Sequence, residues 1–182
     1  MELSKLVLLP TPRQVRDAKC ILPLRHSGRI VCRGEPQTVF PVAARLQEAV
    51  WETQGMEWSL WAGDAEGDPL AQAVLTVEAG TDIPAQGYRL RITAERAHLV
   101  AGDAAGLFYG VMTLRQMLRQ CAGELPCGEI DDHPDFPSRG VMLDISRDKV
   151  PTLGTLFALV DELAEWKINH LELYTEHTFA YR

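Results

Sequence analysis

The sequence predicts an α+β domain over residues 1–130 joined to a single β-α-β unit over residues 131–182. Three observations carry this expectation. Residues 39–51 and 104–120 place apolar side chains at helical spacing, and the segments around them read as strands. Gly, Pro and acidic residues cluster at 123–137, as in a segment that joins domains. Beyond it the sequence reads strand, helix, strand, whose connection is a right-handed parallel crossover.

The elements follow in order. Residues 6–9 read as a short strand, and residues 20–24 and 29–32 as two more, separated by His26-Ser27-Gly28. In the first helix Val39, Val42, Ala43, Leu46 and Val50 share one face. Pro41 suits its first turn and Gly55 its end. Strands are expected at 58–61 and 74–78. Residues 88–92 alternate apolar and basic, the mark of a half-buried strand, and residues 97–100 can pair with them across a turn at 93–96. The second helix has Asp103 as its N-cap and Leu107, Val111, Leu114 and Leu118 as its buried stripe. Gly106 and Gly110 lie one turn apart and leave a flank that another chain segment can approach closely; each costs about 1 kcal/mol relative to Ala, which argues for a packing reason. Residues 140–145 are nearly all apolar, as in a strand covered on both faces. Pro151 suits the first turn of a third helix carrying Leu153, Leu156, Phe157, Val160, Leu163 and Ala164, and residues 168–175 form the second strand. Such a unit expects parallel neighbours, and its unfinished edge is a place for self-association.

Composition narrows the function. The net charge is −7, from 18 Lys and Arg against 25 Asp and Glu, which argues against nucleic acid and anionic membrane as partners. No apolar run spans a bilayer or has signal-peptide length, so the expected address is cytoplasmic. Cys20, Cys32, Cys121 and Cys127 form no CxxC pair, and reduced thiols are expected, with two disulfides as the alternative in an exported protein. Nothing calls for a metal or a cofactor. The strings at 62–68 and 101–106 are turns rather than phosphate loops.

Polar residues gather where the two parallel strands end: Asp144, Ser146, Arg147 and Asp148 after the first, Tyr174, Glu176 and His177 after the second. Ligands of α/β folds bind at such ends, and an Arg fork suits paired hydroxyls or a carboxylate. From spacing alone the leading reading is an Asp144–Arg147 ion pair that ties off a strand, with a ligand site as the alternative. Glu176 and His177 are neighbours in sequence and point to opposite faces if the strand continues, which makes a surface pair. His98, His133 and His170 read as structural or exposed. Trp51, Trp58 and Trp61 read as core or helix-end packing, with a sugar-stacking face as the alternative.

The run RGVMLDISRDKVPTLGTLFALVDELAEWKINHLELYTEHTFAY resembles the opening of the catalytic barrel of glycoside hydrolase family 20, the β-N-acetylhexosaminidases. The matching residues are Arg139, Gly140, Leu143, Asp144, Ser146, Arg147, Lys167 and Asn169. Upstream, GLFYGVMTLRQML and LVLLPTPRQV resemble the last helix and first strand of the family's accessory domain. The resemblance implies a two-layer accessory domain, a mixed sheet with two helices, followed by the first β-α-β unit of a TIM barrel that is cut off after its second strand. It implies removal of terminal N-acetylhexosamine with retention, the substrate's acetamido group acting as nucleophile. The Asp-Glu pair that serves this chemistry belongs to the fourth barrel strand, beyond the two strands read here, so the chain itself is expected to be inert. Arg147 matches the arginine that binds hydroxyls of the terminal sugar, and Asp144, Glu176 and His177 are its expected neighbours in the substrate site. The second strand departs from the family's Trp-His pattern: Leu173-Tyr174 and Glu176-His177 stand in that region. A stand-alone carbohydrate-binding module, or another glycosidase family with this accessory domain, is the alternative, and the LDISRD segment favours family 20.

Overall fold

The computed structural model describes residues 2–147 and 150–176. It divides into two compact units, Met1–Pro134 and Asp135–Arg182.

The first unit is α+β. Its strands are β1 (Gln14–Pro23), β2 (Ser27–Arg33), β3 (Glu57–Ala62), β4 (Ala71–Val77), β5 (Tyr88–Ile92), β6 (Ala97–Ala101) and β7 (Glu124–Asp132), and its helices are α1 (Pro36–Gln54) and α2 (Ala104–Gln120). The strands form one mixed sheet in the order β1-β7-β5-β6-β4-β2-β3. The β2–β3, β2–β4 and β4–β6 pairs are parallel; β5 pairs antiparallel with β6 and β7, and β1 antiparallel with β7. The two helices pack side by side against one face, and the core lies between them and the sheet, with Leu46, Val50, Leu75, Leu90, Leu99, Leu107 and Leu114 in it.

Local chemistry explains most of these elements. In β5, Tyr88, Leu90 and Ile92 are buried and Arg89 and Arg91 exposed, the alternation expected of it, and Thr93 closes the turn to β6 by bonding its amide to the Arg96 carbonyl. The α1 helix ends at Gly55, whose left-handed φ of 64° lets its amide reach the Trp51 carbonyl. Asp103 caps α2 with one carboxylate oxygen on the Gly106 amide at 2.7 Å and uses the other for the Gln86 amide at 2.7 Å. The close approach expected at the α2 glycines is present. A Cβ on Gly106 would overlap the backbone of Gly87, and one on Gly110 would overlap the Leu99 side chain.

Four expectations about this unit are corrected. Residues 6–9 are not a strand. Their backbone is held by two glutamines one turn apart on α2: Gln116 exchanges two bonds with Leu9 at 2.8 and 2.7 Å, and Gln120 two with Val7 at 2.9 and 2.8 Å. Side-chain amides thus replace a neighbouring strand. The first-turn proline of α1 is Pro36, and Pro41 lies inside the helix on its exposed side, where the helix goes one backbone hydrogen bond short. Residues 124–132 are not a linker but β7, an interior strand. Pro126 is tolerated there because β5 pairs only with residues 128–132, leaving Pro126 beside β1 alone. Finally, Cys20 and Cys127 are disulfide-bonded rather than reduced, with Cα atoms 5.2 Å apart, at the point where the β1–β7 register shifts between Asp17 and Ile21. Cys32 and Cys121 are free and buried.

The second unit contains β8 (Gly140–Asp144), α3 (Leu153–Glu165) and β9 (His170–Tyr174), with β8 and β9 paired in parallel. Thr152 caps α3 by accepting the Thr155 amide at 3.2 Å, so Pro151 precedes the helix instead of opening it. The helix ends in a Schellman turn: Ile168 donates to the Leu163 carbonyl at 2.8 Å, Lys167 donates to Ala164, and Lys167 takes the left-handed φ of 62°. Val141, Met142, Leu173 and Tyr174 on the strands and Phe157 and Val160 on the helix are exposed.

Candidate functional site at the carboxyl ends of β8 and β9

The parallel register sets Asp144 opposite Tyr174, so the residues that follow each strand meet at one end. Arg147 directs its guanidinium at Glu176 as a two-pronged pair: Nε lies 3.0 Å from Oε2, and Nη2 bonds Oε1. Its Nε is also 3.5 Å from an Asp144 oxygen, and the guanidinium lies 6.0 Å from the Tyr174 ring. The Tyr174 hydroxyl donates to Glu176 Oε1 at 3.1 Å.

Ser146 joins the two strand ends. Its amide and hydroxyl both donate to Asp144 Oδ1, at 2.9 and 2.8 Å, while its oxygen accepts the Glu176 amide at 3.1 Å. These bonds hold the Asp144 carboxyl below the usual carboxylate range: the Ser146 amide contributes most, then its hydroxyl, with Arg147 adding to the effect against partial desolvation. Asp144 is therefore an anion at neutral pH and unsuited to donate a proton.

Of the sequence-predicted site residues, Arg147, Glu176 and Asp144 come together. His177, and Asp148 beside Arg147, lie outside the described residues. The bridging role of Ser146 was missed, although Asp-x-Ser is a turn signature in which a carboxylate captures the amide two residues on. The remaining motif residues gather at the opposite end of the strands. Arg139 donates to the carbonyls of Lys167 and Phe136 at 2.9 and 2.7 Å, its amide donates to Asn169 Oδ1 at 2.8 Å, and Asn169 Nδ2 donates to the Pro137 carbonyl at 2.8 Å. They clasp the start of β8 to the start of β9 and fix the register that aligns Asp144 with Tyr174. Among the described residues, no group of three His, Cys, Asp or Glu is placed to hold a metal ion, and no helix is long and apolar enough to cross a membrane.

Among the described residues, one guanidinium between two carboxylates, with a phenol beside it, leaves a net charge of −1. That disfavours an anionic ligand. It suits a neutral polyol, whose hydroxyls can accept from the arginine and donate to the carboxylates.

The family model described as glycosyl hydrolase family 20, domain 2, matches residues 5–133, and the chain belongs to glycoside hydrolase family 20. It is 41% identical over 98 residues to a β-hexosaminidase of Akkermansia muciniphila, covering 52% of this chain and 20% of that one. It is 32% identical over 170 residues to the N,N'-diacetylchitobiase of Vibrio harveyi, covering 92% of this chain and 18% of the relative. Among solved structures, the N-acetyl-β-hexosaminidase of Streptomyces plicatus superposes with a TM-score of 0.80 at 24% identity, over 92% of this chain and 34% of that one, and shares the fold. The chain thus spans about a fifth of these curated relatives and a third of that solved chain.

Proposed function

We propose that this chain is the front part of a retaining β-N-acetylhexosaminidase, with β8, α3 and β9 as the first strand, helix and second strand of a (β/α)8 barrel. The observation that carries the reading is Arg147, a guanidinium held by Glu176 and Asp144 at the carboxyl ends of parallel strands, where barrel enzymes meet their substrates. Arg147 donates to hydroxyls of the terminal sugar, Glu176 and Asp144 hold the fork in place and accept from the same hydroxyls, and Ser146 keeps the two strand ends in step. Relatives named β-hexosaminidase and N,N'-diacetylchitobiase support an N-acetylhexosamine glycoside as the substrate class. The exposed apolar residues on both faces of β8 and β9 support a barrel, in which neighbouring strands, helices and core cover them.

Hydrolysis needs a proton donor, and Asp144 is not one. The acid/base pair that the family carries on its fourth barrel strand has no counterpart on the two strands here, so these 182 residues alone do not turn over substrate. Incubation with a chromogenic N-acetyl-β-glucosaminide tests this, and release of the chromophore by the chain as given overturns it. In a polypeptide that includes a complete barrel, Arg147→Ala lowers kcat/KM by about tenfold or more, the loss of a charged hydrogen bond; an unchanged value removes Arg147 from the site. The Cys20–Cys127 bond favours an oxidising compartment over the cytoplasm.

A second reading is self-association. Among the described residues β8 and β9 pair only with each other, and each offers an outer edge to another copy. A stable monomer on sizing at tens of micromolar rules it out.

A further inference from the structure

The three tryptophans of the α+β unit, one group in the sequence, have separate fates in the structure. Trp58 is buried beneath α1, and its indole N–H donates to the Arg25 carbonyl at 2.8 Å. Trp61 lies on the other face of the sheet with the Arg29 guanidinium 4.8 Å from its ring. Trp51 projects from the last turns of α1, 58% exposed, at the rim of an open hollow of about 460 Å³ between α1 and the start of β3. Ala44, Met56 and an edge of Trp58 form the apolar part of that hollow beside Trp51, and Gln47, Glu48 and Glu57 its polar part. Gln47 is fixed there by donating to the Trp58 carbonyl at 2.5 Å.

We propose that this hollow binds a neutral, β-linked N-acetylated oligosaccharide, with Trp51 as its stacking platform. The volume falls within the range of small-molecule sites, roughly 300–1,000 Å³. An indole left in water forgoes burial of a large apolar face, and a pyranose ring presents a face of C–H groups that covers it. The polar side is made of acceptors suited to sugar hydroxyls. Arg45 lies 3.3 Å from Glu48 and balances it, so Glu57 leaves the lining with one net negative charge, which favours a neutral ligand over an anionic one. A protein partner would have to desolvate Glu48 and Glu57 in exchange for the exposed face of Trp51 and the little of Ala44, Met56 and Trp58 that lines the hollow. The choice of N-acetylated sugar rests on the substrate class proposed above; the hollow itself does not.

The test is a calorimetric titration of the 182-residue chain with chitohexaose and, separately, cellohexaose, on the wild type, Trp51→Ala and Trp61→Ala, each checked for native circular dichroism. Saturable binding of chitohexaose is expected, weakened about tenfold or more in Trp51→Ala, as for an aromatic anchor, and unchanged in Trp61→Ala. Absence of binding to either sugar overturns the proposal, as does an affinity that Trp51→Ala leaves unchanged. Binding of cellohexaose alone, lost in Trp51→Ala, upholds the saccharide hollow and overturns the N-acetylated specificity. Hydrolysis of the chromogenic glycoside by a polypeptide with a complete barrel tests the substrate class independently of the hollow.

Discussion

Breaking the Cys20–Cys127 bond should destabilise the α+β unit by several kcal/mol without changing its native structure. The bond closes a loop of 107 residues. Chain entropy for a loop of that length gives about 4.8 kcal/mol at 25 °C, at the upper end of the roughly 2–5 kcal/mol lost with native disulfides. Most of this acts on the unfolded chain. In the folded unit β1 remains paired to β7 on both sides of the register shift, at residues 14–17 and again at 21–23, so the strand has no need of the bond to stay in place. Urea unfolding of the wild type and of Cys20→Ser/Cys127→Ser, followed by fluorescence and far-ultraviolet circular dichroism, measures the loss. With a urea slope of about 2 kcal/mol/M, the midpoint should fall by roughly 1–2.5 M, and wild type in dithiothreitol should coincide with the double variant. In denaturant without reductant, two thiols should titrate, those of Cys32 and Cys121. Four thiols, or a midpoint indifferent to dithiothreitol, would refute the reasoning.

Other predictions concern single groups. Gly106→Ala should cost about 1–3 kcal/mol by overpacking, because the added Cβ meets the backbone of Gly87; Gly110→Ala should cost less, since it meets the Leu99 side chain, which can turn aside. Thermal or urea midpoints of the two variants give the order. The Asp144 carboxyl should titrate below its ordinary value in a carbon-13 NMR experiment, and Ser146→Ala should move it upward. Because the folded value is the depressed one, its contribution is complete above the unfolded carboxylate range and is lost as pH falls through the folded value; a midpoint for Asp144 at or above that of a model aspartate would count against the network. Burial pushes the Cys32 thiol up to about 11, so it should resist iodoacetamide at pH 8 until the protein is unfolded. Rapid native-state alkylation, located by mass spectrometry, would contradict this.

Much of the architecture was legible where one local signal dominated. The Tyr88–Ile92 alternation, the Asp103 cap and the Gly55 stop each act within a few residues and survive packing unchanged. Elements whose partners lie far away were harder to read. β7 carries Pro126 and Gly128 and looks like a linker until β1 and β5 flank it. β1 begins at Gln14, in polar sequence, because an edge strand needs little apolar surface. Leu6–Val7–Leu8–Leu9 has the composition of a strand, but its hydrogen-bond partners are side chains 107 and 113 residues away. At the candidate site the convergence of Asp144, Arg147 and Glu176 followed from parallel pairing. Its internal wiring through Ser146 depends on torsion angles that composition does not reveal.

The place of β7 in the sheet also bears on how the unit is made. It is the last strand of its sheet to be synthesised, yet it lies inside, with β1, the first, as its outer neighbour. A chain emerging from the ribosome can assemble β2 through β6 and the helices, but β1 has no place in the sheet until residue 132 is available to bridge it. Cys127, the partner of Cys20, lies on the same late strand, and Gln116 and Gln120, which hold residues 7 and 9, come just before it. Until then the first strand and its thiol stay exposed, and completion of the unit coincides with the arrival of the residues that lead into β8.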